Sequence, residues 1–146
     1  MAGPQPKAAA TGASQVEVFT SRDHGRSWSG PAVVASTAGG TYFQPQLAAG
    51  DGGRVGLSVF ELASSRVHVV MITSTPDGAS FGPPQTVTGS SFDPTLGLAG
   101  GDGAAAQHWI GDYQGLAATP GAFHPLWNDT RTGQMQLFTT TVPVRS

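Results

Sequence analysis

Two parts of this chain repeat each other strand by strand, which restricts the fold to stacked copies of one small unit. LAAGDGGRVGLSVFE (residues 47–61) resembles LAATPGAFHPLWND (116–129) with one gap, and the stretch that follows aligns as well, RVHVVMIT (66–73) with QMQLFTTT (134–141). A second repeat matches VEVFTS (16–21) with VVMITS (69–74). Units that recur like this bury their apolar faces against neighbouring copies rather than within themselves.

The unit is made of strands. Short apolar runs alternate with Gly, Pro, Asp and Ser, as expected of strands joined by turns. The pattern predicts strands over 16–20, 32–35, 42–49, 54–62, 67–73, 85–88, 109–117, 123–129 and 135–142. Asp51-Gly52-Gly53 marks a hairpin, because glycine accepts the positive φ such turns need. Pro120-Gly121 marks a type II turn for the same reason, with proline presetting the φ before it. Residues 90–107 are rich in Gly, Ala and Asp without alternation and read as a long connection. No amphipathic helix is evident. The expected fold is all-β and antiparallel, since joins this short cannot make the crossovers a parallel sheet requires.

The sharpest local motif is Ser21-Arg22-Asp23-His24-Gly25-Arg26-Ser27-Trp28, which fits S-x-D-x-G-x-x-W. A degenerate copy, Ser74-Thr75-Pro76-Asp77-Gly78-Ala79-Ser80-Phe81, keeps Ser74, Gly78 and the aromatic Phe81 but shifts its aspartate by one place. The chemistry is that of a turn. A short carboxylate accepts hydrogen bonds from nearby backbone N–H groups, glycine takes a φ closed to other residues, and the aromatic pins the hairpin by burying its ring. Ser21, Asp23, Gly25 and Trp28 are therefore read as structural. Trp28 is expected to be buried and Asp23 to bind amides of its own turn; an acid–base pair of Asp23 and His24 is the weaker reading.

The two boxes, with the segment Ile110-Gly111-Asp112-Tyr113-Gln114-Gly115-Leu116-Ala117, resemble the sialidase-like proteins built from Asp-box (BNR) repeats. The resemblance covers about residues 15–142, with residues 1–14 as a flexible lead-in. It implies the C-terminal part of a six-bladed β-propeller, with about two to three four-stranded antiparallel blades present. It also implies a secreted or extracytoplasmic protein whose full-length form binds or hydrolyses glycans, without a cofactor. Propeller blades commonly span roughly 40–50 residues; the 69 residues from Leu47 to Leu116 exceed that by the long connection.

Sialidases use a tyrosine nucleophile, and Tyr113 resembles it by position, ahead of a glycine turn and an apolar strand. Asp112, Trp127, Asp129 and Arg131 are the candidate ligand contacts near it, across the hairpin. Two departures count against catalysis. Gln114 stands where that tyrosine's serine neighbour belongs. No arginine lies between Arg66 and Arg131, so the arginine that should precede the tyrosine and hold an acidic sugar is absent. Tyr113 can equally be a polar residue lining a central channel, and Asp129 with Arg131 a partly solvated ion pair. Enzymatic activity is thus expected only in a longer chain. The competing functions are a non-catalytic propeller that binds a glycan or protein, and a short unit that self-assembles into a ring.

Composition narrows the partners. Charged residues make up 11% of the chain and its formal net charge is −2, which does not suit displacing counterions from nucleic-acid phosphates. No polybasic run suggests an anionic membrane, and no stretch has the roughly 20 apolar residues of a membrane helix. There is no cysteine, and His108 and His124 lack metal-ligand spacing. The expected partner is a glycan or other polar small molecule, with missing blades or self-association covering the exposed strand edges.

Overall fold

A computed structural model describes residues 14–100 and 107–144. The proposed lead-in, apart from Ser14, and residues 101–106 of the long connection lie outside the described residues. The described chain is all-β: Ser14–Thr20 (β1), Ser29–Thr37 (β2), Gly40–Ala49 (β3), Val55–Ala63 (β4), Arg66–Thr73 (β5), Gln85–Thr86 (β6), Leu98–Gly100 (β7), Gln107–Trp109 (β8), Gly115–Thr119 (β9), Ala122–Asp129 (β10), Gln136–Thr139 (β11) and Val142–Pro143 (β12). Every strand pairing is antiparallel. No helix among the described residues is long and apolar enough to cross a membrane.

The strands form sheets in chain order. β1 pairs with β2; β3-β4-β5-β6 make a four-stranded meander; β7 pairs with β8. β10 carries β9 on one edge, while β11 and β12 pair with it at successive positions. The expected strand over 135–142 is therefore interrupted between Thr139 and Val142.

The four-stranded sheet is apolar on both faces, which is why β4 and β5 read as nearly continuous hydrophobic runs. One face presents Leu57, Val59, Val70 and Ile72 to Val16 of β1 and Ala35 of β2. The other presents Phe60, Val67 and Val69 to Phe92, Ile110 and Trp127. Three sheets thus stack face to face, with the middle one buried between its neighbours. The repeat of 16–21 in 69–74 follows from this layering: Val16 and the matching Val69 each face the next sheet along the chain.

The turns obey the backbone chemistry read from the sequence. Gly52 and Gly53 have φ of 64° and 75°, and Gly121 has φ of 75° between the paired Thr119 and Ala122.

Two expectations need correction. The predicted strand over 109–117 does not form, since β8 ends at Trp109, β9 begins at Gly115, and the residues between are irregular. Gly111 has a φ of 100°, which breaks the extended run. Asp112 and Tyr113 therefore lie on a loop, not within a strand. Trp28 is not buried either: it is 64% exposed. Its counterpart Phe81 is partly buried because the β1–β2 sheet lies on that side of the middle sheet. No described sheet lies on the corresponding side of β1–β2, so the same turn leaves its aromatic in solvent. The same asymmetry leaves Phe19 52% exposed while its counterpart Ile72 is fully buried.

Candidate functional site

The two ends of the stacked sheets differ in character. At one end lie the box turns with the 50–54 and 119–122 turns, and their polar groups satisfy one another. Ser21 Oγ accepts from the Gly25 amide at 2.7 Å and donates to Asp23 Oδ1 at 2.9 Å. Asp23 accepts from the Ser27 amide at 2.8 Å and the Ser27 hydroxyl at 2.6 Å. These bonds favour the ionised carboxylate. The Ser27 hydroxyl first, then the Ser27 amide and the Ser21 hydroxyl, hold the Asp23 carboxyl below its ordinary 3.8, at about 2. The expected amide bonding by Asp23 is present, and it leaves no role as an acid near neutral pH.

The second box solves the same problem differently. Ser80 matches Ser27, but its amide donates to the Thr75 hydroxyl at 3.2 Å, while the displaced Asp77 accepts from Ala79 at 3.0 Å. Gly78 keeps a φ of 69°. Ser74 joins the turn to β4 by accepting from the Val55 amide at 2.8 Å. Asp51 reaches the third sheet, accepting from the Gly121 amide at 3.0 Å.

A pH titration checks the first turn. The folded value of Asp23 is depressed, so its contribution to stability is present above pH 3.8 and lost as pH falls through about 2. Carboxyl NMR shifts should give a midpoint near 2; a midpoint at or above 3.8 contradicts the hydrogen-bonded turn.

Near the other end, the polar groups are held less completely. Gln44 interrupts β3 at a bulge between Phe43 and Gln46, with φ of 51°, a left-handed conformation that is costly outside glycine. Its Nε2 donates to the Gly111 carbonyl at 2.7 Å, and Gln114 Nε2 donates to the Gln44 carbonyl at 2.8 Å. Both side-chain nitrogens are committed to carbonyls, so the orientation of each amide is fixed. Both Oε1 atoms are buried without a donor among the described residues. At Gly111 a side chain is disfavoured by the φ of 100°, and a Cβ there would also have to displace the end of the Asn128 side chain. This bracing presents Tyr113, which is 85% exposed.

Trp127, Asp129 and Arg131 come together, but as core rather than as a ligand surface. Trp127 is 3% exposed and Asp129 fully buried. Trp127 Nε1 donates to Asp129 Oδ2 at 3.0 Å, and the Arg131 amide to Oδ1 at 2.8 Å. Arg131 Nε donates to Oδ2 at 2.8 Å, and Nη2 completes the ion pair. The guanidinium lies 4.4 Å from the centre of the Phe138 ring. In this ion pair only Arg131 keeps some exposure: the Asp129 carboxylate is sealed by its own neighbours, and Trp127, a candidate ligand contact, is buried.

Tyr113 and Asp112 are both at the surface of the 111–114 loop. Among the described residues, no group hydrogen-bonds the Tyr113 hydroxyl. No group of His, Asp or Glu able to hold a metal occurs among the described residues. Gln44 was missed by sequence reading. The signal was proline at position 45, since a proline within a strand run marks a bulge or an edge.

No protein-family model matches this chain, and neither a curated protein nor a solved structure matches it.

Proposed function

We propose that this chain is part of a sialidase-like Asp-box β-propeller, and that the 111–114 loop binds a neutral, hydroxyl-rich glycan without cleaving it. Three sheets stacked face to face, with equivalent box turns after β1 and β5, support the blade reading. The observation that carries the binding reading is the exposed Tyr113, set on a loop braced by Gln44 and Gln114. An exposed phenol offers a flat apolar face and a hydroxyl, the combination that suits a sugar ring.

Binding is favoured over hydrolysis for two reasons. A tyrosine nucleophile needs a base beside it, and no described residue bonds the Tyr113 hydroxyl. An acidic sugar needs a free cation, and Arg131 is committed to Asp129.

Titration with neutral and sialylated oligosaccharides, followed by NMR, tests the reading. Neutral sugars should shift the resonances of 111–114. Tyr113→Phe should weaken binding only several-fold, the loss of one hydrogen bond, whereas Tyr113→Ala should abolish it. Release of free sugar, or no shift with any oligosaccharide, would remove this function.

A further inference from the structure

Between the middle and third sheets, at the box end, lie two hollows of about 200 and 240 Å³ that share Arg54 and Val144 as walls. The smaller is bounded by the 50–54 and 119–122 turns, the larger by the start of the second box, β6 and β12. Arg54 is the cation common to both.

The turn that carries Arg54 is held from two sides. The Gly50 amide donates to the Arg54 carbonyl at 2.8 Å. The next residue, Val55, exchanges bonds with Ser74: its amide donates to the Ser74 hydroxyl oxygen and its carbonyl accepts from the Ser74 amide, each at 2.8 Å. Arg54 Nη1 then donates to the Ser74 carbonyl at 3.1 Å, so the guanidinium lies beside the larger hollow. Among the described residues that carbonyl is its one hydrogen-bond partner, and no carboxylate comes within ion-pairing distance. A guanidinium carries five N–H donors in one plane, so most of the donors of this half-buried group are unused. The hairpin does not require the charge, because the repeat places Ala122 at the matching position of the β9–β10 hairpin.

We propose that Arg54 and the larger hollow form a binding site for a small organic monocarboxylate with an apolar body. The two oxygens of a carboxylate match parallel donors of one guanidinium, and a half-buried setting strengthens such bonds over those in open water. A phosphate dianion suits the site less. The Ser74 carbonyl and the Asp51 carboxylate of the adjoining hollow oppose a second negative charge, and among the described residues no second cation lines either hollow. Val142, Pro143 and Val144 form an apolar wall for the body of the ligand. Thr73 and Gln85 also line the hollow, and their side chains have no hydrogen-bond partner among the described residues, so they can take a polar substituent. The site lies at the end opposite the Tyr113 loop, so failure of glycan binding there leaves it standing.

The test titrates the full chain with benzoate, benzamide and inorganic phosphate, followed by amide NMR shifts. Benzoate should shift the resonances of 73–75 and 142–144. Benzamide keeps the shape without the charge and should bind roughly tenfold more weakly or worse; phosphate should also bind more weakly than benzoate. Arg54→Gln should weaken benzoate binding by roughly tenfold or more while its unfolding midpoint stays close to that of the parent. Arg54→Lys keeps the charge but not the planar donor pair, so its affinity should fall between the two. If Arg54→Gln fails to fold, the comparison of benzoate with benzamide on the parent chain still decides. No benzoate shift at 73–75, equal affinity for benzamide, tighter binding of phosphate, or parental affinity in a folded Arg54→Gln would each overturn the proposal.

Discussion

Phe123→Ala should lower the unfolding free energy by about 3–5 kcal/mol, the usual loss for a fully buried aromatic. Phe123 has no exposed surface, and the repeat explains where its ring goes. The matching hairpin of the middle sheet carries glycines at the contact. A Cβ on Gly56 would come within 2.6 Å of the Phe123 ring, and one on Gly50 within 2.8 Å. The ring thus lies in a slot made by two missing side chains and locks β10 to the start of β4. Gly56→Ala should be destabilising in its own right, by about 1–3 kcal/mol, because a packed core does not yield to an added carbon. In the Phe123→Ala background that penalty should largely vanish. Urea unfolding of the four proteins closes the cycle. Additive losses, or a Phe123→Ala protein within 1 kcal/mol of the parent, would show that the slot does not hold the sheets together.

The sequence carried the strands and the turns because both depend on local chemistry. Short apolar runs bounded by turn residues located β3, β4, β5 and β10 to within one or two residues of where they lie, and the glycines at 52, 53 and 121 marked turns that need positive φ. Burial was less legible, because it depends on which sheet lies alongside. Trp28 and Phe81 occupy the same place in the same turn, yet only Phe81 has a sheet against it. The loop at 110–114 misled for another reason. Its composition suits a strand, but Gly111 at φ of 100° and the amide bonds of Gln44 and Gln114 hold it in an irregular path. Those bonds join residues about 70 positions apart, a distance at which pattern reading has no purchase.

Asp129 shows how a motif that reads as a ligand site can belong to the core. Its carboxylate is fully buried and accepts from the Trp127 indole, the Arg131 amide and the Arg131 guanidinium. Removing one partner of a buried pair strands the others, at a cost of about 3–5 kcal/mol. Asp129→Ala should therefore be among the most damaging single changes in the chain. It leaves four N–H donors without an acceptor and a half-buried cation without its counter-charge. Asp129→Asn should fall between this variant and the parent, since its oxygen can keep one or two of the donors while its NH₂ opposes the guanidinium. Trp127→Phe removes only the indole donor and trims the ring, so it should cost less than either. The decisive comparison sets stability against binding. A core role predicts that Asp129→Asn shifts the urea midpoint while the folded fraction binds oligosaccharide as the parent does. A ligand role predicts the reverse, a stable protein that has lost its affinity. Arg131→Lys sharpens the distinction, because lysine keeps the charge but not the planar donors beside Asp129 and Phe138. It should destabilise the fold and leave affinity intact; a variant with parental stability and no binding would return Arg131 to the site.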